Sequence, residues 1–390
     1  MSEIRETISS SVNLERPPIL DRIVSERISE GEKQELADEL LEKFERQDLE
    51  EFKEDEIELS PRQKELIIET NRLISHALGG MGIKPRTEIT PPMVHLMRQD
   101  AFEKFCNRKG LKGRLVSGLA SVEKQAIIIK AGKHDELVFL SRVIHEALHV
   151  NSFISVQTVD MAEDTEQNVG IVERRAGLRI RETKIQDGKK LAGTMFFNDL
   201  DEAVVEKLTL DIIRNLNIRI SPDVKNSFEK SEKFRKILIE YIQKVFREKG
   251  KQMSHGELLE VGNMYMVLNW GAILLPEADE FLRRYEESSD PLVLEQAISF
   301  YLDQEMSGVM THFGYRSQRI GFEKLVSVIF QKNKEDFNST KEVAALFIKA
   351  SFSGRLLPLA RVIDRTFGKG SFKKLGEGID ITADFSEEKS

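Results

Sequence analysis

The chain has 390 residues, of which 40% are hydrophobic and 32% charged, with a formal net charge of −8. That length admits two domains, or one catalytic unit with a helical extension, and the composition is that of a globular protein rich in amphipathic helix. The acidic balance argues against nucleic acid as a general partner, and Cys106, the single cysteine, excludes an intramolecular disulfide and offers no thiolate cluster to a metal.

The first residues, Met1 to Asn13, lack the charged-then-apolar layout of a secretory signal, and the longest apolar run near the middle, Tyr265 to Leu275, is too short to span a bilayer. A cytoplasmic location without a membrane partner is therefore expected. Residues 1–57 are dominated by Glu, Lys, Asp and Arg, with Leu36, Leu40, Leu41 and Phe44 at helical spacing. This segment reads as a charged, mobile N-terminal arm of one or two helices. It is either a solvated tail or a segment that binds a partner or acts on its own chain.

From Pro61 to Leu78 the pattern predicts a helix, which Gly79, Gly80 and Gly82 end, and Pro85, Pro91 and Pro92 mark a connector. Two runs rich in Val, Leu and Ile, residues 114–120 and 125–131, predict a β-hairpin. A helix over about 135–153 follows. A second β pair is predicted over 172–185 and 189–197, joined through Asp187-Gly188, with Arg174, Arg175, Arg179 and Arg181 crowding its first strand as a solvated face or as ligands for a substrate carboxylate. After Phe197 the pattern is helical almost to the end, with breaks near Ser221-Pro222, Lys249-Gly250, Pro276, 288–291 and 368–370.

The helix over 135–153 carries His145-Glu146-Ala147-Leu148-His149, the pattern H-E-x-x-H. Four-residue spacing puts both imidazoles on one helical face, where each can offer a nitrogen to one zinc ion at about 2.0–2.1 Å. Glu146 then stands beside the metal without binding it, as a general base for water whose pKa the cation lowers to roughly 7. Such short patterns also arise by accident as structural histidine pairs. Here Val143, Ile144, Ala147, Leu148 and Val150 surround the polar triplet, so a helix that buries them turns costly unpaired imidazoles and a carboxylate inward.

A catalytic zinc site takes three protein ligands and leaves a position for water. Ser152 and Ser155 occupy the positions where metzincins carry glycine and a third histidine, which excludes that pattern. The helix opening at Asn198-Asp199-Leu200-Asp201-Glu202 offers carboxylates instead, with Glu202 and Glu206 on one face. Either carboxylate could be the third ligand, or Glu202 could close a capping box with Asp199.

In its H-E-x-x-H helix followed by an acidic helix, the stretch from about 113 to 210 resembles the gluzincins, the zincin superfamily of thermolysin-like and aminopeptidase-type enzymes. The resemblance implies that Glu202 is the third ligand and that Glu206, four positions later, supports the first motif histidine, His145. Asp201, where many members carry asparagine, and Val205, where a small hydroxyl residue is common, depart from the family pattern.

The expectation is thus an α+β chain: a zincin-like catalytic core with short hairpins over 58–217, then a mainly helical C-terminal region over 218–390. Its expected activity is zinc-dependent hydrolysis of peptide bonds in a peptide or protein substrate, with one zinc ion and Glu146 as base. A donor for the oxyanion would come from Tyr265, Tyr301, Tyr315, His255 or His312 of the helical half. Two other classes stand beside this. A di-iron carboxylate bundle needs a second E-x-x-H, and none of the other five histidines has a glutamate three residues before it. A non-catalytic zinc-binding regulatory or interaction protein would retain the fold without turnover.

Overall fold

The computed structural model describes residues 22–24, 54–108, 118–121, 126–131, 136–160, 169–182, 184–186, 189–191, 193–214 and 316–382. The helical spacing at 36–44 and the five candidate oxyanion donors lie outside these residues. The described chain is mixed α and β. It begins with strands β1 (Arg22–Val24) and β2 (Glu56–Ile57), then helix α1 (Pro61–Gly79). Helix α1 starts where its sequence provides for a start. Ser60 Oγ accepts from the Gln63 amide while Gln63 Oε1 accepts from the Ser60 amide, and Pro61 needs no partner for the N–H it lacks.

The connector after α1 contains more structure than its prolines suggest. A short 3₁₀ turn at Pro91–Met93 leads into β3 (Val94–Met97) and helix α2 (Gln99–Arg108). The predicted hairpin forms β4 (Gly118–Ser121) and β5 (Ala126–Lys130), antiparallel with Gly118 opposite Ile129. Because β3 runs parallel to β5, the chain crosses over through α2, and the mixed sheet has the order β2-β3-β5-β4 with β4 at its edge.

The motif helix is α3 (Glu136–Asn151). After it come β6 (Ile154–Asp160), β7 (Val169–Ala176), β8 (Arg179–Glu182), β9 (Lys184–Gln186), β10 (Lys189–Leu191) and β11 (Met195–Phe196). The second sheet has the order β1-β6-β7-β8-β11. The single strand expected over 172–185 is corrected here. It breaks at Gly177-Leu178, a two-residue loop that folds β8 back on β7 with Ala176 opposite Arg179. Gly177 has φ +64°, a conformation that disfavours a Cβ and is common at the first position of tight hairpin loops. The pairing across 187–188 does form, as Gln186 opposite Lys189 in a separate two-stranded sheet.

Helix α4 (Asn198–Arg214) closes the site, and α5 (Arg316–Lys332), α6 (Thr340–Ser353), α7 (Leu356–Phe367) and α8 (Ser371–Gly376) follow. Phe197, which leads into α4, has φ +57°, unusual for a bulky residue. It is held there by its amide, which donates to Gly376 O at 2.8 Å, and by its ring, whose centroid lies 4.8 Å from that of Phe372. One apolar core joins these layers: Leu66, Ile67 and Ile74 of α1, Val143, Ile144 and Leu148 of α3, Ala203 and Val204 of α4, and Phe322, Ile329 and Phe347 of α5 and α6.

Of the four arginines on the expected strand, Arg181 is exposed, whereas Arg175 is 7% exposed and acts as a structural cap. Its guanidinium donates to Gly177 O, Gly354 O and Ala350 O at 2.7–3.0 Å, tying the end of α6 to the β7–β8 turn. Charged hydrogen bonds of this kind are worth more than neutral ones. Arg175→Met should therefore cost about 2–4 kcal/mol, read as a lower urea midpoint. An unchanged midpoint would show that water satisfies those carbonyls.

Candidate metal centre

Helices α3 and α4 pack side by side, and the site forms where their inward polar residues meet. His145, Glu146 and His149 come from α3, and Asp201, Glu202 and Glu206 from α4. All six are largely enclosed. His145, with 12% of its side chain exposed, is the most open of the three possible ligands, compared with 5% for His149 and 8% for Glu202.

The donor atoms converge. Glu202 Oε2 lies 3.2 Å from His149 Nε2 and 3.4 Å from His145 Nε2, and these three residues form a group able to hold a metal ion. A tetrahedron with arms of 2.0–2.1 Å has edges of about 3.3–3.4 Å, so both separations are close to those of ligands around one small cation, and the shorter one is also a hydrogen-bond distance. Glu202 is turned onto the histidines and does not reach back along its own helix as a capping box requires.

The outer nitrogens meet carboxylates as well. His145 Nδ1 is 3.2 Å from Glu206 Oε2, the place the resemblance gives Glu206, and His149 Nδ1 faces Asp201 Oδ2 at 3.6 Å. Two neutral imidazoles have one N–H each, so they cannot donate along all four of these directions. Extra protons or a cation must supply what is missing. Neither His149 Nδ1 nor Asp201 Oδ2 has a hydrogen-bond partner although both are fully enclosed. A shift of a few tenths of an ångström would join them in the histidine–carboxylate pair that orients metal ligands.

The electrostatics agree with this. Burial works against charge on His145, but hydrogen bonds to Glu202 and Glu206 hold its pKa well above the ordinary imidazole value. Burial alone would raise the Glu202 carboxyl, yet the charge of His149 and hydrogen bonds from both histidines hold it well below the carboxylate range. The cluster thus gathers positive charge in the form of protons where a divalent cation would otherwise provide it. Metal uptake should release at least one proton, and affinity should weaken as the pH falls, because the ligand form of His145 is the deprotonated one. Calorimetry in buffers of different ionisation enthalpy measures this directly. Binding heats independent of the buffer would contradict it.

Comparison with protein-family models, curated proteins and solved structures finds no match. What the site can do rests on its own geometry.

Glu146 is absent from the converging donor set, is 8% exposed, and has its carboxyl raised by burial against the opposing charges of His145 and His149. Strand β4 crosses directly over it. A Cβ placed on Gly118 would lie 2.8 Å from Glu146 Oε1 and 3.1 Å from its Cγ, so any larger residue there would displace the Glu146 carboxylate.

Three features escape the local pattern. Asp201 accepts a hydrogen bond from the Leu178 amide at 2.7 Å, so the β7–β8 turn is docked on α4. A Cβ on Gly177 would stand 2.3 Å from Asp201 Oδ1, which fixes glycine at that turn for a second reason. Arg179, next after the turn, reaches Asp201 Oδ2 and Glu202 Oε1, both at 3.6 Å. The crowding of arginines around 174–181 signals basic character but not which member turns inward. A separate open groove of about 690 Å³ between α1 and residues 82–88 includes none of the site residues. Among the described residues no helix is long and apolar enough to cross a membrane.

Proposed function

We propose that the chain is a zinc-dependent hydrolase of the zincin type that cleaves peptide bonds, with His145, His149 and Glu202 as zinc ligands. One observation carries this reading: two histidine nitrogens converge on one glutamate oxygen at 3.2 and 3.4 Å, the three ligand atoms all within 4.8 Å of one another, beside a buried glutamate that is not one of them. Zinc held there supplies Lewis acidity, which makes water more acidic and polarises a carbonyl.

The chain's own residues do the rest. Glu146 takes a proton from the attacking water and returns it to the leaving nitrogen, a role favoured by burial, which lifts its carboxyl toward the working pH. Glu206 and Asp201 fix the orientation of the two imidazoles from behind. The edge position of β4 argues for an extended substrate, since an edge strand can bind a peptide through main-chain hydrogen bonds. At Gly118 that edge meets the general base.

The test combines metal content with cleavage. Elemental analysis of the purified protein should find about one zinc per chain, and a mixed peptide library followed by mass spectrometry should show products that a chelator abolishes and added zinc restores. Zinc-loaded protein that leaves the library intact would end the hydrolase reading. Protein that takes up no divalent ion would end the metal reading itself.

A further inference from the structure

The two oxygens of Glu202 have different neighbours. Oε2 faces both histidine Nε2 atoms, at 3.2 and 3.4 Å, while Oε1 faces Arg179 Nη1 at 3.6 Å. The other arm of the same guanidinium, Nη2, lies 3.6 Å from Asp201 Oδ2, the oxygen that faces His149 Nδ1. One planar fork therefore spans the outer oxygen of a candidate ligand and the carboxylate behind a second ligand.

We infer that Arg179 is a positioning residue of this centre: it engages Oε1 of Glu202 so that only Oε2 is offered to the metal, and it aligns Asp201 behind His149. The inference rests on the metal-centre reading proposed above. A carboxylate can bind a cation through one oxygen or both. Glu202 has its second oxygen turned toward a guanidinium, a group suited to holding carboxylates in fixed directions.

Charge points the same way. Asp201, Glu202 and Glu206 bring three negative charges to the ligand side of the cluster, and a divalent cation balances two of them. Arg179 supplies the third. Glu146, on the other helix, feels the charge of Arg179 as well, and it also acts on Arg142, one turn before it on α3. The backbone holds Arg179 in this place, because it follows Gly177-Leu178, the turn whose Leu178 amide is bound by Asp201. The side chain remains 29% exposed while its partners are at 1% and 8%, so it enters the site from the solvent side.

Cobalt(II) loaded in place of zinc gives a readout other than turnover, since its visible absorption is stronger in four-coordinate than in five-coordinate geometry. Parent protein should take up one cobalt and His145→Ala should take up much less. If the parent takes up none, the metal-centre reading fails, and this inference with it. With cobalt bound to the parent, Arg179→Met should weaken affinity about 10- to 100-fold, as removal of an outer partner does, and should lower the visible absorption as Glu202 becomes free to bind through both oxygens. Arg179→Lys keeps the charge but cannot bridge two carboxylates. It should recover part of the affinity and still show the altered spectrum, and it serves alone should the methionine variant not fold. Parent-like affinity and spectrum in a folded Arg179→Met, or a parent-like spectrum in Arg179→Lys when only that variant folds, overturns the assignment.

Discussion

Glu146→Gln should leave zinc near one per chain while slowing peptide cleavage by about 10²- to 10⁴-fold, the range that general-base catalysis spans. The substitution is close to isosteric, so it preserves the packing of a residue that is 8% exposed and in close contact with Gly118. It removes the ability to accept a proton, together with the negative charge. Because Glu146 lies outside the group of converging ligand atoms, metal affinity should change little. Steady-state kinetics at saturating zinc, with metal content measured on the same sample, separate the two effects. Comparable rates for variant and parent would refute hydrolysis by this base, whereas loss of the metal would mean that Glu146 ligates it.

How much of this was visible in the sequence depends on how local each feature is. The motif is legible because a spacing of four on a helix fixes His145 and His149 on one face whatever the rest of the chain does. Glu206 is legible for the same reason, one turn beyond Glu202. Asp201 and Arg179 are not, because their roles arise from packing the β7–β8 turn against α4, and the turn lies some twenty residues away from that helix in sequence. Gly118 is equally silent. Its meaning is the passage of a strand over a helix that begins later in the chain.

The strands show a similar division. The hairpin of β4 and β5 announces itself through two apolar runs. Strand β3, four residues long and placed just after Pro91 and Pro92, gives no such signal and is specified by its parallel partner β5. Strand β6 does carry a period-two signal, Ile154 and Val156 buried and alternating with Ser155 and Gln157, but it follows the motif helix so closely that the two patterns merge. Arg175 shows the limit of reading by residue class. Its neighbours Arg174 and Arg181 carry the same charge, and only the position of the α6 terminus selects it as the buried cap.

The second large effect expected is on metal retention, and it distinguishes two carboxylates one helical turn apart. Glu202→Ala removes one of the three proposed ligands, and chelator titration should show zinc lost far more readily than from the parent. Glu206→Ala removes a partner of His145 Nδ1, and outer partners typically contribute about 10- to 100-fold in affinity. The order follows from geometry: Glu202 Oε2 faces the Nε2 atoms of both histidines, whereas Glu206 meets only the far nitrogen of one ring. Circular dichroism on each variant guards against mistaking helix loss for ligand loss, since both residues belong to α4 and are buried. A Glu202→Ala protein that holds zinc as tightly as the parent would reduce Glu202 to a hydrogen-bond acceptor for the two histidines. If Glu206→Ala alone empties the site, the ligand is one turn further along the helix and His145 must bind through Nδ1.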